Sequence, residues 1–174
     1  MDLSYPIGKF DWHITVTPEM RPGLIAEIAA APRAFRQAVA GLDDAQLDTP
    51  YRPGGWTVRQ VVHHLADSHM NSYIRCRLAL TEDEPTIKPY FEAKWAELHD
   101  ARTAPVAVSL ELLEALHERW ANLLQCLTDR DYSRTFRHPE RGVMRLDTNL
   151  ALYAWHCRHH TAHIVNLRAR EGWR

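Results

Sequence analysis

The stretch Trp56-Thr57-Val58-Arg59-Gln60-Val61-Val62-His63-His64-Leu65-Ala66-Asp67 decides the fold class. Thr57 and Gln60 stand at the S/T-x-x-E/Q spacing of a capping box, which starts a helix at Thr57. Gly54-Gly55 before it is loop, and nothing after it breaks a helix until about Leu80. A segment this long has to bury one face, and it also carries His63, His64 and His69.

Working outward from this helix, the punctuation yields three more. Thr17-Pro18 reads as an N-cap with proline at the first helical position, and Leu24 to Val39 follows at helical spacing until Gly41. Pro32 inside that run predicts a kink or two shorter helices. Downstream, Pro85 to Val108 is a long connection with room for a short helix at Trp95-Leu98. Ser109 then opens a segment with Leu110, Leu113, Leu116 (or His117), Trp120, Leu124 and Leu127 at threes and fours. Arg134 to Arg137 and Gly142 to Leu146 flank His138-Pro139-Glu140 as a small hairpin. Asp147 or Thr148 caps a last helix to Glu171, with Gly172 at its end. Four long helices with one long crossover between the second and third predict an all-α four-helix bundle in a single domain, residues 1–174.

Composition sets bounds on partners. The chain has 174 residues, 45% hydrophobic and 25% charged, with a formal net charge of −1, so neither disorder nor a nucleic-acid partner is indicated. No apolar run is long enough for a membrane span, and the N-terminus has no secretory pattern. Cys76, Cys126 and Cys157 are too scattered for a disulfide framework. A cytoplasmic protein is expected.

The count that stands out is 11 histidines, seven of them on two helices. His156, His159, His160 and His163 share an arc of about 100° with Leu152, Tyr153 and Leu167, so they point into the bundle. Four imidazoles on a buried face are costly unless their nitrogens are used, and a divalent ion uses them as neutral ligands. Spacing does not choose between the i,i+4 pairs His156/His160 and His159/His163. On the second helix, His69 lies nearest the centre of the apolar stripe, His64 at its edge and His63 further round. Cys157 points away from the histidine arc. Arg158 reads as an exposed residue, Trp56 as packing at the helix start, and His138 as either a solvated turn or a substrate contact.

Several segments together resemble the DinB superfamily and, within it, the YfiT group of metal-dependent hydrolases. They are Leu3-Ser4-Tyr5-Pro6-Ile7-Gly8, Asp48-Thr49-Pro50-Tyr51-Arg52, the helix from Trp56 to Asp67, Ala66-Asp67-Ser68-His69-Met70-Asn71-Ser72, and Tyr153-Ala154-Trp155-His156 through His163-Ile164. The resemblance implies an up-down-down-up bundle holding one divalent metal per chain, zinc foremost and nickel the alternative. Its ligands, carried over by position, are His64 and the H-x-x-x-H pair His159 and His163, while His63 is the nearest alignment alternative. The implied activity is hydrolysis by a water that the metal activates, acting on a small molecule. Two further readings are a transferase using a small thiol of the bacillithiol or mycothiol type, and a metal-binding bundle without turnover. The resemblance also implies a homodimer. No Ser-His-Asp spacing, phosphate loop or paired carboxylate offers a different chemistry.

Overall fold

The computed structural model describes residues 2–173. A 3-10 turn at Pro18–Met20 leads into α1, Arg21–Val39, followed by the short α2, Asp44–Leu47. Helix α3 spans Val58–Thr81; the Thr57 side chain accepts from the Gln60 amide, and the Gln60 side chain accepts from the Thr57 amide. The crossover holds two short helices, α4 at Glu92–Ala96 and α5 at His99–Thr103. Helix α6, Val106–Gln125, and the turn α7, Asp129–Tyr132, lead to strands β1, Thr135–His138, and β2, Gly142–Arg145. Their antiparallel register pairs Thr135 with Arg145 and His138 with Gly142. Helix α8, Leu146–Glu171, ends on Gly172 at φ 69°, a left-handed cap that favours glycine.

Contacts between the long helices give their directions. Arg36 bonds Glu114 and Arg21 bonds Asp129, so α1 runs against α6. Arg158 bonds Glu27 and Arg168 reaches the Ala38 carbonyl, so α8 runs with α1. His63 meets Ser109 and His69 meets His117, so α3 runs with α6. The four helices are therefore up, down, down and up. Parallel neighbours cannot be joined by a tight turn, and this is the physical reason for the long crossover.

Helix boundaries differ from expectation in small ways. Helix α6 starts three residues early, on Pro105 as N-cap, and the short crossover helix ends at Ala96 instead of Leu98. Helix α1 passes through Pro32 as one helix. Proline lacks the N–H that would bond the Ile28 carbonyl, and that carbonyl is taken instead by His117 Nδ1 at 2.6 Å. The cost of the missing bond is thus offset from outside the helix.

The interior has two apolar ends and a polar middle. One end packs Trp120, Phe136, Leu146 and Leu150 with Ile28 and Cys76. The other packs Phe35, Val61, Leu65, Leu113, Ile164 and Leu167 with Cys157. Between them, at mid-height, lie His69 and His117, both at 0% exposure. Among the described residues no helix is long and apolar enough to cross a membrane.

Candidate metal centre

Helices α3 and α8 supply the site. His64, buried at 4% exposure, faces α8 with its ring centroid 5.1 Å from that of His160 and 5.5 Å from that of His156. His64, His156 and His160 each offer a ring nitrogen, and these three atoms lie within 4.8 Å of one another. A second group meeting the same limit is His159, His160 and His163, which shares His160 with the first. The trio expected from the resemblance is therefore divided: His64 belongs to the first group, His159 and His163 to the second.

His63 and His69 have other partners. His63 Nε2 donates to the Ala104 carbonyl at 3.1 Å, and its Nδ1 is 2.7 Å from Ser109 Oγ. His69 Nδ1 is 2.7 Å from His117 Nε2, and its Nε2 is 3.0 Å from His156 Nδ1. Neither His64 nitrogen has a hydrogen-bond partner among the described residues. Periodicity was right that His69 points inward, but it points at α6 and the back of His156.

The central rings fit a cation better than they fit each other. His156 Nε2 and His160 Nε2 are 3.1 Å apart, and among the described residues no acidic group bonds either ring. Burial holds His64 down at about 3, with the nearby His159 adding to the effect. Burial also depresses His156 and His160 well below the ordinary histidine value, and the neighbouring histidines deepen this. Desolvation brings His159 and His163 to about 4. All five rings are neutral at pH 7, the state in which imidazole ligates a metal.

These histidines line a cleft of about 500 Å³. Tyr51, Trp56 and Trp155 form aromatic walls; Tyr51 stacks on His163 at 4.0 Å and Trp155 on His159 at 4.5 Å. Trp56, expected only to pack the start of α3, also faces this cleft 4.6 Å from His64. Lys9, Arg52, Arg75 and Arg141 line the cleft, and none has a carboxylate within 4.0 Å among the described residues. His138, from the hairpin, lines it too. Arg158 instead bonds Glu27 outside it, and Cys157 is buried in the apolar end, away from the ring cluster. Lys9, Arg75 and Arg141 were missed in the sequence because isolated cations on separate elements carry no spacing signal.

The fold and the site define a four-helix bundle whose polar core is a histidine cluster at the floor of a cleft. The chain belongs to the DinB superfamily, whose model matches residues 27–164. It is 59% identical over 172 residues, 99% of both chains, to a protein of Bacillus cereus (strain 03BB102) named "Putative metal-dependent hydrolase". A protein of the same name from Bacillus anthracis (strain CDC 684) is 58% identical over the same length. Among solved structures, YfiT from Bacillus subtilis matches with a TM-score of 0.97 and 51% identity, covering 100% of each chain. That protein is described as a "probable metal-dependent hydrolase with an unusual four-helix bundle topology". The four-helix bundle protein TT2238 shares the fold, with a TM-score of 0.56 at 20% identity over 87% of this chain and 98% of its own.

Proposed function

We propose that the protein is a metal-dependent hydrolase of small molecules, with the divalent ion on His64, His156 and His160. The observation that carries this reading is the set of three neutral ring nitrogens within 4.8 Å of one another at the floor of a cleft. A divalent ion held by three imidazoles keeps positions for water and substrate, and can bring the pKa of a water to about 7. The chain's own residues do the rest. His64 from α3 and the i,i+4 pair from α8 hold the ion between two rigid helices. Tyr51, Trp56 and Trp155 narrow the access of solvent. Lys9, Arg52, Arg75 and Arg141 attract and orient an anionic group on the substrate.

Metal analysis of single-alanine variants, made without an affinity tag, tests the ligand set. His64→Ala, His156→Ala and His160→Ala should each lose stoichiometric zinc, while His159→Ala keeps it. Loss in His159→Ala and His163→Ala, with retention in His156→Ala, would restore the trio His64, His159 and His163. The activity is tested by screening carboxylate-bearing esters and amides beside their neutral analogues, with small thiols plus electrophiles as a parallel arm. Preferential cleavage of the anionic substrates supports the reading. Turnover in the thiol arm alone would make the protein a transferase, and no turnover in either would leave a metal-binding bundle.

A further inference from the structure

Two chains of imidazoles lead from backbone carbonyls to the proposed ligands. The first begins at Ile28 in α1, whose carbonyl is released by Pro32. A carbonyl only accepts, so His117 Nδ1, 2.6 Å away, carries a proton and donates it. His117 is fully buried and among the described residues bonds only Ile28 and His69, with no acidic partner, so the ring is neutral and its Nε2 is bare. His69 Nδ1, 2.7 Å from that Nε2, must then carry the proton, which leaves His69 Nε2 bare in turn. His156 Nδ1, 3.0 Å further on, is obliged to donate, and His156 Nε2 keeps a lone pair.

The second chain starts in the N-terminal segment. His163 Nε2 is 3.4 Å from the Ser4 carbonyl and donates to it, so a neutral His163 has a bare Nδ1. That atom is 3.4 Å from His160 Nδ1, which donates, and His160 Nε2 is also left with a lone pair. These two bonds are longer than those of the first chain, so the first is the stronger constraint. The two chains end on His156 Nε2 and His160 Nε2, facing each other at 3.1 Å. Two lone pairs at that distance repel, and a cation between them removes the repulsion.

We infer that His69, His117 and His163 are positioning residues that fix the tautomers of His156 and His160, so that both rings present bare Nε2 atoms to the ion. The inference rests on the proposed ligand set. Hydrogen bonds to the far nitrogen of a ligating histidine fix its orientation, and their loss weakens metal binding by about 10–100-fold. In this protein the far partner of His156 is another imidazole, itself held by a third. The polar middle of the bundle is thereby accounted for without a carboxylate: every proton in the first chain has one place to go.

The test has an arm that needs no metal. Long-range proton–nitrogen correlation spectra of the metal-free protein at neutral pH should show His69, His117, His156 and His160 in the Nδ1–H form and His163 in the Nε2–H form. His156 found as the Nε2–H form would overturn the inference, whatever the metal does. In the second arm, zinc affinity is measured by competition with a chromophoric chelator. His69→Leu should weaken zinc about 10–100-fold while keeping one ion per chain. His69→Gln, which can still accept from His156 and donate to His117, should recover most of that loss. Unchanged affinity in His69→Leu would make His69 a packing residue and overturn the inference. His163→Phe keeps the stacking on Tyr51 and removes the acceptor; it should weaken zinc without changing stoichiometry. A lost ion in His163→Phe would instead overturn the ligand set, so the two failures read differently. Should His69→Leu fail to fold, the wild-type tautomers still decide.

Discussion

His63 Nδ1 sits 2.7 Å from Ser109 Oγ, and this contact separates two adjacent histidines into different roles. The Ala104 carbonyl can only accept from His63 Nε2, so Nδ1 is bare and takes the Ser109 hydroxyl proton. Both nitrogens of His63 are thus spent on the junction of the crossover with α6. One residue on, and about 100° further round the helix, His64 faces the cleft instead.

This difference predicts opposite outcomes for neighbouring substitutions. His63→Ala should retain one metal per chain and lose about 1–3 kcal/mol of stability, because Ser109 Oγ loses its partner and the Ala104 carbonyl keeps only Arg59. His64→Ala should lose the metal, with little change in the stability of the metal-free protein. Metal analysis beside urea titrations of both variants makes the comparison. A metal lost with His63 and kept without His64 would move the ligand by one residue.

A second prediction concerns what pins the crossover. The Arg59 side chain, only 6% exposed, bonds Asp48 at 2.6 Å, Asp44 at 2.7 Å and the Ala104 carbonyl at 3.1 Å. Gln60, next to it, bonds the Ala96 carbonyl at 2.7 Å. Both aspartates are mostly exposed and can return to water, so losing the guanidinium costs less than breaking a fully buried pair. Arg59→Met should therefore cost about 1–3 kcal/mol and leave metal content intact. A loss of metal in this variant would show that the crossover, and not α3 alone, holds His64 in place.

Metal removal gives the third. An ion joining α3 to α8 binds the native state and not the unfolded chain, adding about 4 kcal/mol when free metal is 1,000 times its dissociation constant. The two apolar ends, with Trp120, Phe35, Leu65 and Leu113 at 0% exposure, do not depend on it. Chelation should lower the melting midpoint and preserve a single cooperative transition with native helix content. An unfolded or molten metal-free protein would contradict this, and calorimetry with and without chelator decides.

The parts legible in the sequence were those set by local chemistry. The Thr57/Gln60 capping box, the Gly172 cap and the hairpin around Pro139-Glu140 each depend on residues a few positions apart. The inward arc of His156, His159, His160 and His163 was legible for the same reason, being a property of one helix. What periodicity could not supply is which residues meet across helices. The pairs His156/His160 and His159/His163 are equivalent in spacing, and which of them lies within 4.8 Å of a His64 nitrogen depends on how α3 packs against α8. Pro32 was legible as an irregularity, yet its consequence, a free Ile28 carbonyl for His117, depends on α6 lying alongside α1. Gln60 was legible as the partner of Thr57, but its bond to the Ala96 carbonyl and that of Arg59 to the Ala104 carbonyl were not, because nothing in the sequence says that the crossover folds back over them.

The last prediction is acid lability of the metal-free protein. Burial holds His64 at about 3 and His117 at about 4 in the native state, against an ordinary value of 6.5. Between those limits the unfolded chain binds protons that the native protein refuses, so stability falls as pH falls. The contribution is fully present above pH 6.5 and is lost progressively toward pH 4 and then 3. Each such histidine gives a slope of up to about 1.4 kcal/mol per pH unit. From pH 7 to pH 5 these two residues alone should cost about 4 kcal/mol, and His69, His156 and His160 add in the same direction. Urea titrations of chelated protein at pH 7.5, 6 and 5 measure the slope directly. His117→Gln, which cannot titrate in this range and can still donate to Ile28, should flatten it by about one proton. Stability that stays level from pH 7 to pH 5 would mean that these rings charge freely in the native state, and that the histidine core is open to water.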